Sequence, residues 1–389
     1  MSPTQFTNKQ VLVSPMGDGV QPSEAHFRTV TITQDKPTLA PNQLFIKNLS
    51  FSMEPLIFYD FSTGANESKV RGFGMAQVLE STNANITPGS IVHITMPWEE
   101  YSVIQAEPGN PLGDVIVHSP SDRHLRWSNT PLTAYNGVLG IPGFTAWDAL
   151  RVHGDLKPGE VIYVNSAAGT LGSLAGQLAK RKGLRVIGSA GSQAKLDYLQ
   201  NELGFDEVFN YKAPGGVRRG LEQALASLSA KQAAAAAAAT KTQGSHVVVG
   251  GGGSASAAAA TSVGLDVYFD LVNEVPSLEA VMDLMNPHGR ILSVGMIADQ
   301  LNDKPTHGPK NYMQILNKQL QWCGYIVMER YMHYHEFVDE LEPLISSREI
   351  KYVEHVVNGN VDDIPTYFVK AQQGAFLGKV SVSIAAPGV

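Results

Sequence analysis

From Glu160 onward the sequence alternates between apolar strand-like runs and helices. "EVIYVNSA" leads into "GSLAGQLAKRKG", a helix stopped by Gly183; "RVIGSAG" follows as a strand, "SQAKLDYLQNELG" as a helix and "EVFNYK" as a strand. "GLDVYFDLV" and "GRILSVGM" continue the strands with "LEAVMDLMNPHG" as a helix between them, and "LQWCGYIV" supplies one more strand. Short apolar strands spaced by helices of ten to fifteen residues predict right-handed βαβ units on one parallel sheet. A helix is also predicted over "GFTAWDALRVHG", ending at Gly154.

The first ~130 residues have a different texture. Short strand-like runs such as "QLFIKNLSFSM", "GFGMAQVLES" and "GSIVHITMPWEEYSVIQ" are broken by Pro- and Gly-containing turns, the pattern of an irregular β domain. The tail from about Tyr331, with "YHEFVDELEPLISS", "IPTYFVKAQQG" and "GKVSVSI", resembles that region and is expected to pack back onto it. The expected division is a β domain over 1–138, a nucleotide-binding unit over 139–330, and a returning segment over 331–389. A length of 389 residues suits two domains.

One stretch breaks the series. From Ala230 to Gly264 the chain holds seven consecutive alanines (Ala233–Ala239), four consecutive glycines (Gly250–Gly253) and four further alanines (Ala257–Ala260). Such residues bury too little surface to offset the entropy of ordering. An inserted surface loop is expected, with the alanine run able to extend the helix before it. This stretch also explains why charged residues reach only 17 %.

A net charge of −7 offers no basic field for a phosphate backbone and argues against nucleic-acid binding. The single cysteine, Cys323, excludes an intramolecular disulfide and a multi-cysteine zinc site. No signal-peptide or membrane-span pattern is present, so a soluble, cytoplasmic protein is expected with no membrane partner. "HYHEF" (His333–Phe337) has His-x-His spacing without an acidic or cysteine partner to complete a metal set. No Gly-x-Ser-x-Gly elbow supports hydrolase chemistry.

The chemistry concentrates where the first parallel strand meets its helix. "VNSAAGTLGSLAGQLAK" places Ser166, Gly169 and Gly172 at three-residue intervals. Strand, glycine-rich turn and helix N-terminus form the dinucleotide fingerprint, in which first-turn N–H groups meet a pyrophosphate. Close helix–sheet packing asks for the same small residues. The second strand indicates which dinucleotide. NAD sites end it with Asp or Glu for the ribose 2′-OH, whereas "RVIGSAGSQAK" has no acid and offers Lys195 to a 2′-phosphate. NADP(H) is the expected cofactor.

At these residues the chain resembles the zinc-independent medium-chain dehydrogenase/reductases, nearest the alkenal and enone double-bond reductases that include the leukotriene 12-hydroxydehydrogenase/prostaglandin reductases. The resemblance rests on "LGIPGFTAW", "SAAGTLGSLAGQLAK", "VIGSAGSQAKLDYL", "LGFDEVFNYK", "DVYFD", "HGRILSVGMI", "GYIV" and "WEEYSVI". It covers nearly the whole chain except the Ala/Gly insertion. It implies an α/β fold, a Rossmann doubly wound parallel sheet plus a GroES-like, mainly β substrate domain, commonly as a homodimer. It further implies that Gly169, Thr170, Leu171 and Gly172 sit at the pyrophosphate and that Lys195 and Tyr211 contact the 2′-phosphate. Val294, Gly295, Met296 and Ile297, with Tyr325, Ile326 and Val327, would line the nicotinamide, though strand-end packing would look the same in sequence.

The reaction implied is hydride delivery to the β-carbon of an enal or enone, with donors stabilising the negative charge that gathers on the carbonyl oxygen. The resemblance also implies a place in secondary metabolism. Several positions depart from the family pattern. Asn317 stands where a tyrosine is common near the substrate; an amide can donate a hydrogen bond but is no acid near neutral pH. Leu271 and Phe376 replace asparagines expected near the cofactor, and "EPLIF" replaces a turn that carries an arginine. Tyr59, after that turn, is a candidate at the pocket mouth, though a lone tyrosine reads first as a packing residue. His288 is expected to cap a helix end. The alternatives are a quinone reductase on the same fold and a nucleotide-binding protein with impaired catalysis.

Overall fold

The computed structural model describes residues 5–14, 22–55, 68–106, 116–118, 130–242, 263–295, 297 and 307–387. Six strands form one parallel sheet: β9 (Val161–Val164), β10 (Arg185–Ala190), β11 (Glu207–Asn210), β12 (Leu265–Asp270), β13 (Met285–Ser293) and β14 (Gln321–Gly324). Their spatial order is β11-β10-β9-β12-β13-β14, so the series reverses direction between β9 and β12. That is the doubly wound order, and its crevice lies at the carboxyl ends of the strands beside the reversal. β9 is buried along its whole length, as sheets covered by helices on both faces require.

A second sheet joins β3 (Gln43–Ser52), β5 (Arg71–Ser81), β6 (Ile91–Pro97), β7 (Tyr101–Gln105) and β8 (Ile116–His118) with two late strands, β15 (Glu354–Asn358) and β16 (Lys379–Ser383). β16 pairs antiparallel with β3, matching Val382 to Phe51, so the end of the chain completes the β unit that the beginning starts. A small sheet of β1 (Gln5–Val13), β2 (Phe27–Asp35) and β4 (Ser68–Lys69) lies beside it.

Helix α1 (Ile141–Ala149), continued by a π-turn over Leu150–Gly154, buries all nine of its residues. Helix α2 (Thr170–Arg181) follows β9, and the short α3 (Gln193–Asp197) follows β10. Helix α4 (Gly216–Thr242) runs straight through the alanine run, so the stretch from Ala230 to Thr242 is helix rather than loop. Alanine pays no side-chain entropy in a helix, and its neighbours Lys231 and Ser229 still bond the sheet unit, Lys231 Nζ lying 2.6 Å from Glu207 Oε1. The glycine-rich part of the insertion, 243–262, is outside the described residues.

Helix α5 (Val275–Leu284) ends earlier than the sequence pattern suggests. Met285 to Gly289 belong to β13, because Pro287 would set its ring against the carbonyl of Asp283 if the helix continued. His288 therefore caps no helix: it sits at φ 65° and its N–H donates to the Lys318 carbonyl at 2.7 Å. The cation at that helix end is Lys318. It follows α6 (Met313–Asn317), and its ammonium donates to the carbonyls of Met282, Asp283 and Met285 at 3.0, 2.6 and 2.9 Å.

Helix α7 (Tyr334–Ser346) packs on α1 through an aromatic group of Phe144, Trp147, Tyr334 and Phe337, with ring centroids 5.6–6.2 Å apart. The chain then returns to the mixed sheet through Lys351, whose main chain pairs both ways with the Gln177 amide on α2. Helix α8 (Ile364–Gln372) covers that sheet. Among the described residues, no helix is long and apolar enough to cross a membrane.

Candidate functional site

The turn after β9 brings Ser166 to φ 46°, a left-handed conformation, and delivers Gly169 as the N-cap of α2 at φ −78°, ψ 166°. The Gly169 carbonyl accepts from Ser173 N–H at 2.9 Å, and no side chain caps the helix. The first-turn N–H groups of Thr170, Leu171 and Gly172 therefore point outward at the positive end of the helix dipole.

The glycines of this stretch divide into two kinds. A Cβ on Gly172 would lie 2.8 Å from Ala167 Cα and 2.8 Å from the Ser166 carbonyl oxygen, so this glycine exists for close helix–strand packing. Gly176 and Gly188 are likewise filled by the Phe205 ring. A Cβ on Gly169 would meet nothing closer than the Ser166 carbonyl oxygen at 3.4 Å. Protein packing gives no reason for glycine there; a group approaching the backbone from outside does.

Between the two central strands lies a buried polar knot. Asn165, just past β9, donates to Asp270 Oδ1 at 2.7 Å and to the Tyr268 hydroxyl at 2.7 Å, and accepts from Leu271 N–H. The N–H groups of Val272 and Asn273 also close on Asp270 Oδ1 at 3.0 Å. Burial still raises the Asp270 pKa, against these hydrogen bonds. Asp270 O accepts from Val294 N–H and Gly295 N–H, at 2.8 and 3.1 Å, which carries the knot to the end of β13. Gly295 is glycine because its Cβ would press on the Leu271 backbone.

A second knot holds the end of β14. Asp148 of α1 is fully buried and accepts from the Tyr325 hydroxyl at 2.9 Å, from Arg330 Nε at 2.8 Å and from Arg151 Nη2 at 2.8 Å. Burial opposes its charge, but the two guanidiniums and the phenol outweigh it and hold the carboxyl below its usual range. Burial and Asp148 together push the Tyr325 phenol far above its ordinary range. Tyr325 thereby stays a neutral donor committed to Asp148.

At the other end of the sheet edge, Tyr211 and Lys212, just past β11, lie over Gly191, and Lys195 stands on α3, the helix that follows β10. A Cβ on Gly191 would lie 3.1 Å from the Tyr211 hydroxyl and 3.0 Å from Lys212 Cε. Lys195 Nζ donates to the Gly374 carbonyl at 2.9 Å, a contact made by the other unit of the molecule. Burial, then the charge of Lys212, lower the Lys195 pKa.

Known proteins bear on this edge. The family model of the zinc-binding dehydrogenases matches residues 170–343. The chain is 31% identical over 392 residues, 98% of each chain, to a 2-alkenal reductase (NADP(+)-dependent) of Nicotiana tabacum. It is 29% identical over 387 residues to a (+)-pulegone reductase of Mentha piperita, covering 97% of this chain and 98% of the relative. The chain belongs to the medium-chain dehydrogenase/reductases, in their zinc-independent alkenal and enone reductase branch. In fold it is similar to the crystal structure of CurA in complex with NADPH from Vibrio vulnificus, with a TM-score of 0.74 at 24% identity, covering 97% of this chain and 100% of that one.

Against this family background, this oxidoreductase gathers most of its sequence-expected cofactor residues on one edge. Gly169, Thr170, Leu171 and Gly172 follow β9, Lys195 and Tyr211 follow β10 and β11, Val294 and Gly295 follow β13, and Tyr325, Ile326 and Val327 follow β14. Ile297 is half-buried beyond them, while Met296 and Tyr59 lie outside the described residues.

Other expectations need correcting. Asn317 is exposed at the end of α6, before β14 begins, and so stands at the amino end of the sheet. A strand of four residues, at about 3.3 Å each, separates it from the edge where the other residues gather. It is not a candidate to hold an enolate oxygen. Leu271 puts its side chain into the apolar core, leaving the crevice edge to its main chain. Phe376 turns onto the His355 ring, with centroids 4.5 Å apart.

Sequence reading missed Asp148, Asn165, Asp270 and Lys212. A carboxylate inside the apolar run "FTAWDAL" was a signal for the first, and the lysine beside Tyr211 for the last. Among the described residues, no group of three or more His, Cys, Asp or Glu gathers as a metal set.

Proposed function

We propose that the chain reduces the C=C bond of an α,β-unsaturated aldehyde or ketone with NADPH, as a cytoplasmic homodimer. The observation that carries the cofactor assignment is Gly169, whose missing side chain leaves room at an uncapped helix start that no packing contact uses. The substrate class is supported by the 2-alkenal and pulegone reductases to which the chain is similar over nearly its whole length.

In this reading the amides of Thr170, Leu171 and Gly172 hold the pyrophosphate, and Lys195 with Tyr211 binds the 2′-phosphate. When bound, the cofactor supplies a hydride for the substrate's β-carbon. The segment from Tyr325 to Val327, with Val294, Gly295 and Ile297, forms the wall that orients the nicotinamide and keeps water from it. Asp148 fixes that wall by holding the Tyr325 hydroxyl and Arg330. The dimer reading is supported by the edge strand β14, before which Met313 and Leu316 are 62% and 70% exposed.

The test is fluorescence titration with NADPH and NADH, followed by turnover of enals, enones and quinones with product identification. A saturated aldehyde or ketone made with NADPH is the expected outcome. A hydroquinone as sole product assigns quinone chemistry instead, and cofactor binding without turnover refutes the enzymatic reading.

A further inference from the structure

We propose that Lys212 is a second cation of the 2′-phosphate site and sets the preference for NADPH together with Lys195. The inference rests on the cofactor reading above and adds a residue to it. Three observations carry it. The Lys212 side chain lies over Gly191 at the end of β10, with Cε 3.0 Å from where a Cβ of Gly191 would stand. Any larger residue at position 191 would displace it. Its ammonium sits over the Tyr211 ring, 5.7 Å from the centroid. The Lys195 ammonium, on the helix that follows β10, lies against the Gly374 carbonyl within reach of the Lys212 charge, and no carboxylate among the described residues pairs with either lysine.

Two like charges held together without a counter-ion cost free energy, and a dianion between them removes that cost. An NADP(H) 2′-phosphate carries this charge; the 2′-hydroxyl of NAD(H) does not. The Gly374 carbonyl, from the other unit, holds the Lys195 ammonium in place. An ammonium has three donors, so Lys195 can keep that carbonyl while it meets a phosphate oxygen. Gly374 sits at φ 69°, a turn that aims this carbonyl and that glycine adopts without strain. The proposed phosphate site thus borders both units of the protein, with Lys212 exposed and Lys195 held by the Gly374 carbonyl.

The test measures dissociation constants of the full chain for NADPH, NADH, adenosine 2′,5′-bisphosphate and 5′-AMP, with Lys212→Gln, Lys212→Arg and Lys195→Gln. Lys212 is exposed, so its substitution leaves the fold intact, which thermal unfolding of each variant verifies. Lys212→Gln is expected to weaken NADPH and the bisphosphate about tenfold while leaving NADH and 5′-AMP within about twofold. Lys212→Arg is expected to keep the preference. If Lys212→Gln leaves the NADPH preference intact, or weakens NADH equally, the proposal is overturned while the cofactor reading stands. If the parent protein itself shows no preference between NADPH and NADH, the 2′-phosphate reading fails with it.

Discussion

Gly169→Ala and Gly172→Ala separate packing from cofactor recognition within three residues of one turn. At Gly172 the added methyl would stand 2.8 Å from two backbone atoms, Ala167 Cα and the Ser166 oxygen, and neither can rotate away. Overpacking of this kind costs about 1–3 kcal/mol. For a chain of this size that is a fall of several degrees in Tm at about 2–4 °C per kcal/mol. At Gly169 the methyl would stand 3.4 Å from the Ser166 oxygen, an ordinary contact, with φ −78° open to alanine. Reduced freedom of the unfolded chain contributes about 0.4–1 kcal/mol, and the poorer N-cap offsets most of it. Stability is therefore expected to hold within about 1 kcal/mol. The same methyl enters the space a pyrophosphate would take, so NADPH affinity is expected to fall at least about tenfold. Circular dichroism melts and NADPH fluorescence titrations read the two effects separately. If Gly169→Ala binds NADPH as tightly as the parent, the cradle assignment is wrong. If Gly172→Ala melts with the parent, the backbone clash is not real.

Asp148→Asn should cost about 1–3 kcal/mol in urea unfolding, because it weakens the hydrogen bonds from two guanidiniums that keep partial access to water. Since the Asp148 carboxyl is held low, its contribution is present above the unfolded carboxyl range and lost as pH falls through the folded value; the variant should lack that acid limb. Glu354 behaves oppositely. Burial raises its carboxyl to about 7 against the Thr133 hydrogen bond, and Lys379 also opposes the shift. The folded form then keeps its proton where the unfolded chain has lost it, so stability should fall as pH rises from about 4.5 to about 7, by at most about 3–4 kcal/mol. Glu354→Gln should flatten that slope, and a slope that persists in the variant assigns it to another group. Lys318→Met should lower stability by about 1–2 kcal/mol in denaturant melts by freeing three carbonyls at the end of α5; no loss would mean water replaces the ammonium there.

The parallel sheet was legible because its strands are short apolar runs cut by glycines, and period and punctuation suffice to order βαβ units. β16 could be read as a strand, but its pairing with β3 joins residues more than 300 apart and rests on texture alone. The reach of α5 was misread for a local reason. "LEAVMDLMNPHG" keeps a helical pattern up to Pro287, and only the proline ring ends it early. Asn317 shows a different limit. It was placed by its alignment with a family position, and alignment cannot say at which end of a strand a residue stands; the β14 boundary does.

The glycine question shows most clearly what sequence spacing can and cannot carry. Gly169 and Gly172 occupy equivalent places in a Ser-x-x-Gly-x-x-Gly pattern, yet one is closed by backbone and the other is open. A spacing reports only that side chains are excluded. What excludes them depends on which atoms lie along each missing Cα–Cβ bond, and that is set by the hand of the turn at Ser166. The lysines obey the same logic. Lys195 was identified by the acid missing from its strand, a negative signal. Lys212 required β10 and β11 to lie side by side before its side chain came to rest over Gly191. On the proposed reading, cofactor selectivity in this chain rests on two adjacent strand ends, and a motif written on one of them states half of it.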